Sequence, residues 1–277
     1  MYYSPLRYPG GKGKILSFMK ALVECNNLQD SEYVEPYVGG AAVALGLLLE
    51  GYVSRIHIND LDKAIHSFWH SILNDTENFS RKIHNTEITV DEWKKQKQIY
   101  TLEESSSFEL GFAAFFLNRC NHSGVLKGGI IGGFGQHGEW KIDARFNKQD
   151  LINRIEKIAE YSSRIELYNK DTFDLLTENK KQFEKAIIYL DPPYFQKGHQ
   201  LYKNHYKAFD HEEIANLVRE LKGHWVISYD NVVEIKNLYD FAELREFNIS
   251  YSVGTKREGA EIMFFSDKLI IPNRAIC

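Results

Sequence analysis

Apolar and polar positions divide the chain into two regimes. Seven short runs rich in β-branched or aromatic residues, each bounded by turn or helix-start signals, read as strands at 33–38, 55–59, 164–168, 186–190, 224–229, 244–253 and 261–266. Helical patterns lie between most of them. Leu151, Ile152, Ile155, Ile158 and Ala159 recur at helical spacing, as do Ile214, Leu217, Val218 and Leu221 behind a cap at Asp210. Strand alternating with helix predicts an α/β fold with a mostly parallel sheet covered on both faces. The connection 254–259 is too short for a crossover helix, so the last two strands are expected to form an antiparallel hairpin at the C-terminus.

From about 62 to 148 the alternation stops. Residues 91–100 and 107–119 read as helices, whereas 124–138 holds seven glycines and no credible helix. Glu139-Trp140-Lys141-Ile142 follows, which predicts a loop leading into a β-hairpin, with a merely flexible loop as the alternative. The expected organisation is a discontinuous α/β domain, 1–61 and 149–277, carrying an insert at 62–148.

Composition narrows the class. A 277-residue chain with 43% hydrophobic residues can bury a full core as one large domain or one domain with an insert. The apolar run 41–49 is far too short to span a bilayer and no charged-then-apolar leader opens the chain, so a cytoplasmic location is the default expectation. Cys25, Cys120 and Cys277 show no paired spacing, and neither a disulfide framework nor a metal site is expected. The net charge of −4 does not single out a nucleic-acid binder, but its distribution is uneven. Residues 1–20 hold Arg7, Lys12, Lys14 and Lys20, and 196–207 hold Lys197, His199, Lys203, His205 and Lys207, both without an acid. These are phosphate-facing surfaces or solvated faces.

Three motifs carry chemistry. The apolar strand 186–190 runs into Asp191-Pro192-Pro193-Tyr194, which puts a carboxylate at the carboxyl edge of the sheet, where open α/β folds bind ligands. The prolines lack N–H groups and restrict φ, so the Pro192 carbonyl is held beside Asp191 as a second acceptor. Two fixed acceptors suit an amino group, and the adjacent Tyr194 ring suits a flat base. The second motif, Glu35-Pro36-Tyr37-Val38-Gly39-Gly40-Ala41, takes a strand through a glycine turn into a helix, where a ligand can lie against the backbone. Asp60, after the next strand, stands where an acid meets a ribose diol; capping of the following helix is the other reading, and Asp62 competes for either role. In the third, Tyr8-Pro9-Gly10-Gly11-Lys12, no strand precedes the glycines and Lys12 is followed by Gly13, which argues against a phosphate-binding loop. Tyr8 and Lys12 suit the amino-acid end and cationic sulfonium of a cofactor.

Together, the segment 6–12, the 35–43 strand-turn-helix, Asp60 and the 191–194 tetrad resemble the Dam-type (D12 class) DNA adenine N6-methyltransferase family. The likeness continues in Phe115-Phe116-Leu117-Asn118-Arg119, in Ser228-Tyr229-Asp230 and through 251–265. It implies a Rossmann-like seven-stranded methyltransferase sheet, with a helical and β-hairpin target-recognition domain at the composition break. It also implies transfer of a methyl group from S-adenosylmethionine to N6 of an adenine flipped out of double-stranded DNA at a specific site. Asp191, Pro192, Pro193 and Tyr194 would be catalytic. Tyr8, Gly10, Gly11, Lys12, Glu35, Pro36, Gly39, Asp60, Asp171, Thr172 and Asp191 would bind the cofactor. DNA contacts would come from Arg119, His122, Ser123, Lys127, Lys197, Lys203 and Lys207.

The chain departs from the family at Tyr8, where tryptophan is common, and at 121–127. His122 and Ser123 occupy positions that wedge into the duplex in relatives, and Lys127 stands where an arginine often reads guanine. Methylation of the cytosine N4 amino group and a catalytically inactive DNA-binding relative are the alternative functions. The expected partners are double-stranded DNA and, in a bacterial or phage restriction-modification setting, a cognate endonuclease acting separately from a monomeric methyltransferase.

Overall fold

The computed structural model describes residues 3–7, 13–102, 106–195, 206–251 and 257–273. The first part of the chain runs α1 (Gly13–Cys25), β1 (Glu32–Glu35), α2 (Ala42–Leu49) and β2 (Arg55–Asn59). Helices α3 (Lys63–Asn74), α4 (Thr76–Asn85), α5 (Val90–Thr101), α6 (Ser107–Cys120) and α7 (Lys148–Ala159) follow. Alternation then resumes with β3 (Ile165–Tyr168), α8 (Thr172–Glu178), α9 (Lys180–Phe183) and β4 (Ile187–Leu190). The chain continues through α10 (Ala208–Arg219), β5 (His224–Asp230), α11 (Val233–Leu238), β6 (Glu243–Tyr251) and β7 (Arg257–Phe265).

The chain divides into two compact units, one formed by Lys12–Leu61 with Arg164–Cys277, the other by Met1–Gly11 with Asp62–Ser163. In the first unit the strands form one sheet in the order β3-β2-β1-β4-β5-β7-β6. The first five are parallel and β7 is antiparallel to both β5 and β6, as the short connection demanded. Strand β7 starts at Arg257, earlier than the apolar pattern suggested, because its pairing with β6 extends to Tyr251. The fully buried β4, Ile187–Leu190, shows why that run is apolar without alternation: helices cover both faces of a parallel sheet. Val34, Ile188, Leu190 and Ile227 pack with Ile214 and Val218 of α10 and Leu175 of α8.

The second unit is helical. Phe68 of α3 stacks on Phe115 of α6 with centroids 5.7 Å apart, and Phe79, Phe112, Phe116 and Phe146 extend this aromatic core. Gly111 makes the α3–α6 contact possible, since a Cβ there would sit 2.4 Å from the Ser67 carbonyl oxygen. Helix α7 packs on α4 and α3, so this unit reaches Ser163 rather than ending at 148, and it also includes Met1–Gly11. The expected β-hairpin after the glycines is absent among the described residues. A single antiparallel bridge, Asn121↔Ile130, and a series of turns stand in its place. Among the described residues no helix is long and apolar enough to cross a membrane.

Candidate active site

From β1 the chain moves outward to β2 and β3, and from β4 outward the other way, so the carboxyl ends of the adjacent β1 and β4 flank the switch point where open α/β sheets hold ligands. Glu35 closes β1. Its buried carboxylate accepts the Ala44 N–H at 3.1 Å, in the first turn of α2, where a negative charge is favoured by the helix dipole. Between them the turn is tight: Gly39 has φ 44 and Ala41 has φ 52, a left-handed conformation costing an L-residue on the order of 1 kcal/mol. Three hydrogen bonds hold it. Val38 N–H donates to the Asn59 carbonyl at 2.9 Å, Ala41 N–H to the Val38 carbonyl at 2.7 Å, and Gly39 N–H to the Asp60 carboxylate at 3.0 Å.

Of the two acids that follow β2, Asp62 and not Asp60 takes the capping role. Asp62 caps α3 by accepting the Ala64 N–H at 2.8 Å, while Asp60 is turned toward the glycine turn. Asn59 ties the neighbouring loops together. Its amide donates to the Pro36 carbonyl at 2.9 Å and the Lys170 carbonyl at 3.0 Å and accepts Lys170 N–H at 2.9 Å. That strut sets the start of α8, where Asp171 is the cap, accepting Phe173 N–H at 2.8 Å, with Thr172 buried beside it. Four carboxylates, Glu35, Asp60, Asp171 and Asp191, thus follow four neighbouring strands on one sheet edge. This set of acceptors fits a ligand bearing hydroxyls and a positive centre.

At the end of β4 the Asp191 carboxylate accepts the Ser228 hydroxyl at 2.7 Å, and that hydroxyl also meets the Tyr189 hydroxyl at 3.0 Å. One carboxylate oxygen is oriented in this way. Tyr194 is 8% exposed, and its hydroxyl donates to the Glu261 carboxylate at 2.6 Å, on strand β7. Burial, then the Asp191 and Glu261 charges, push the Tyr194 pKa well up and keep the phenol neutral. Phe195 N–H donates to Asp230 at 3.0 Å, which anchors the residue that follows the tetrad. Beyond it, His211 contacts the rings of Phe195, Tyr206 and Tyr229, and Tyr206 meets the Tyr37 hydroxyl at 2.7 Å. Burial lowers the His211 pKa against the opposing pull of Asp230 and Asp210.

The helical unit has its own ordered surface. Asn118, 0% exposed, accepts Arg7 N–H at 2.7 Å and donates to the carbonyls of Arg7 at 2.6 Å and Gly124 at 2.9 Å. Asn121 accepts the Trp93 indole N–H at 2.7 Å and donates to the Val125 and Leu126 carbonyls at 2.8 and 3.1 Å. Between these amides the turn 121–127 is rigid, with Ser123 at φ 56 and Gly124 at φ 77. It leaves His122 and Lys127 exposed and Ser123 partly so. Arg119 does not join them. Its guanidinium donates to the Arg145 carbonyl and, at 3.5 Å, to the Pro5 carbonyl. Burial, then Arg7 and Arg154, lower its pKa to about 10.

The structure therefore brings Glu35, Pro36, Gly39, Asp60, Asp171, Thr172 and Asp191 to one edge and His122, Ser123 and Lys127 to one turn. Tyr8, Gly10, Gly11, Lys12, Lys197 and Lys203 lie outside the described residues. Lys207 is exposed at the start of α10, where its N–H donates to Asp210 at 2.7 Å. Asp210 is thus the third residue of the helix, its carboxylate accepting the Lys207 N–H, rather than the cap. Sequence reasoning missed Glu261 and Asn59, and it named Ser228 and Asn118 only as part of a resemblance. A lone acid opening the apolar run Ile262-Met263-Phe264-Phe265 was the signal for Glu261.

Residues 8–255 match the family model for D12 class N6 adenine-specific DNA methyltransferases. The Type II methyltransferase M.MjaIII of Methanocaldococcus jannaschii is 24% identical over 203 residues, 68% of each chain. Among solved structures, the candidate RNA methyltransferase PH1948 of Pyrococcus horikoshii aligns with a TM-score of 0.43 at 9% identity, covering 91% of this chain and 82% of its own.

Proposed function

Because the chain belongs to the D12 class N6 adenine-specific DNA methyltransferase family, we propose that it uses S-adenosylmethionine to methylate N6 of an adenine at a specific site in double-stranded DNA. The observation that carries this reading is the Asp191 carboxylate, oriented by Ser228 at the sheet's switch point. An adenine amino nitrogen is a poor nucleophile because its lone pair is delocalised into the ring. Asp191 and the Pro192 carbonyl accept the two amino hydrogens, which favours the positive charge that develops on nitrogen during transfer. Tyr194, neutral and anchored through Glu261, holds the flat base in line beside them.

S-adenosylmethionine supplies an electrophilic methyl group on a sulfonium, and Glu35, Pro36, Gly39, Asp60, Asp171, Thr172 and Asp191, with Tyr8, Gly10, Gly11 and Lys12, would hold it. Asp60 both fixes the Gly39 turn and suits the ribose diol. Replacing it with alanine is expected to weaken cofactor binding by about 10- to 100-fold, an estimate based on charge-assisted hydrogen bonds. Calorimetric titration with S-adenosylhomocysteine reads this, and DNA affinity should be unchanged.

A duplex base cannot reach such a pocket in place, so the target leaves the stack at a cost of a few kcal/mol, offset by stacking and phosphate contacts. His122, Ser123 and Lys127 on the rigid turn read the site, with Lys127 as a single-pronged donor, and Lys197, Lys203 and Lys207 neutralise phosphates. The reading extends to a cytoplasmic, monomeric enzyme paired with a separately acting restriction endonuclease. Incubation with tritiated S-adenosylmethionine and duplex DNA, followed by digestion to nucleosides, tests the reading. Label in N6-methyl-2′-deoxyadenosine is expected; label in N4-methyl-2′-deoxycytidine, or none in DNA, overturns it.

A further inference from the structure

Three residues on one face of the β5–β7 pair reach back to the tetrad and its neighbour. Ser228 and Asp230 stand two apart on β5, which puts them on the same side of the sheet, and Glu261 of β7 is the register partner of Asp230. Each takes a different hold. Ser228 donates to the Asp191 carboxylate, Asp230 accepts the Phe195 N–H, and Glu261 accepts the Tyr194 hydroxyl at 2.6 Å. Glu261 is 2% exposed and Asp230 8%, so two acids oppose each other at a buried position. Like charges directly opposite destabilise a strand pair, and withdrawing a carboxylate from water is costly. A glutamine of the same shape also accepts a phenol hydrogen bond, so anchoring Tyr194 does not by itself call for an acid. What the acid adds is charge.

That charge is coupled to the ring. Burial, then Asp191 and Glu261, raise the Tyr194 pKa, so the proton stays on the phenol and the contact is a charge-assisted bond from a neutral donor to a carboxylate. In a low-dielectric interior such a bond polarises its donor, which moves electron density into the ring. An aromatic face carries negative potential and attracts a cation lying on it. The amino nitrogen of a base stacked on Tyr194 becomes such a cation as the methyl group arrives and before one of its protons leaves.

We infer that Glu261 is a positioning residue for methyl transfer: through the Tyr194 phenol it fixes the ring and makes the ring's face more negative where positive charge develops. The inference rests on transfer to an adenine amino group. The rate of one round of transfer tests it, with enzyme in excess over unmethylated plasmid DNA and tritiated cofactor saturating. Affinities for S-adenosylhomocysteine and for DNA are measured alongside. Glu261→Gln keeps the shape and the acceptor and removes the charge. It is expected to slow transfer by about 10- to 30-fold, less than the loss of a group in direct contact, with both affinities within about twofold of wild type. Tyr194→Phe keeps the ring, removes the hydroxyl and slows transfer to a similar extent. The double variant is no slower than the slower single one, because the two side chains act as a unit.

A wild-type rate for Glu261→Gln, or for Tyr194→Phe where the buried glutamine prevents folding, overturns the inference and leaves adenine methylation intact. Losses that multiply in the double variant also overturn it, since Glu261 then does not act through Tyr194. A slower rate matched by equally weakened cofactor or DNA binding makes Glu261 a support of the fold and overturns it as well. Label from the wild-type chain in N4-methyl-2′-deoxycytidine, or none in DNA, rejects the proposed function itself, so the two failures are separable.

Discussion

Replacing Asp191 with alanine is expected to lower kcat for methyl transfer by about a thousandfold or more, the scale seen when a group stabilising transition-state charge is removed. The carboxylate is the charged acceptor at the sheet's switch point, and nothing in the Pro192 backbone can substitute for its negative charge. Ser228→Ala should cost less, about tenfold, because it removes an orienting donor and leaves the acceptor. Single-turnover measurements with saturating cofactor separate this loss of chemistry from any loss of binding. Asp191→Ala retaining more than about a tenth of wild-type kcat would remove the carboxylate from the mechanism.

The other large effect is structural and falls on the helical unit. At Gly124, with φ 77, an added Cβ would lie 2.3 Å from the Arg7 carbonyl oxygen and 2.9 Å from the Arg7 Cβ. Gly124→Ala therefore combines left-handed strain with a backbone clash, and a loss of about 3 kcal/mol is expected. Asn118→Ala removes the amide that serves Arg7 twice and Gly124 once, at a fully buried position, with a similar loss. Thermal unfolding should show a Tm lowered by about 5–10 °C for either variant. Site selectivity should fall with it, since the turn carrying His122 and Lys127 loses its frame. A Tm within a degree of wild type would mean that the Arg7–Asn118–Gly124 contact is not structural.

The sheet was legible because its strands are apolar, β-branched runs closed by acids, and the physics of parallel sheets leaves such runs few other uses. Asp191 and Asp60 stood out for the same reason, each following a strand, whereas Glu35 lay inside the expected 33–38 strand and was named through the resemblance. What escaped reading is work done by amides and by glycines. Gln136 and Asn118 organise loops through backbone carbonyls, and no periodicity marks such a residue. Glycine runs admit hairpins and turns equally, so the 124–138 segment could not announce that it would fold around Gln136 with one bridge to Asn121. Arg119 was named as a DNA contact through the resemblance, and the structure places its guanidinium on the Arg145 and Pro5 carbonyls, partners that no sequence pattern marks. Glu261 needed its partner Tyr194, which lies on a distant stretch of chain.

The path of the chain has a consequence for exchanging specificity between relatives. The helical unit is built from Met1–Gly11 together with Asp62–Ser163, and the Arg7–Asn118 pair is its stitch. A graft that transplants the insert alone therefore carries half of an interface and leaves the other half behind in the recipient. Chimeras should exchange both pieces at once, with junctions after Gly11, before Asp62 and after Ser163, and those that do are expected to fold while insert-only chimeras aggregate. Under the proposed function, recognition would be inherited as a two-part cassette, not as a single loop.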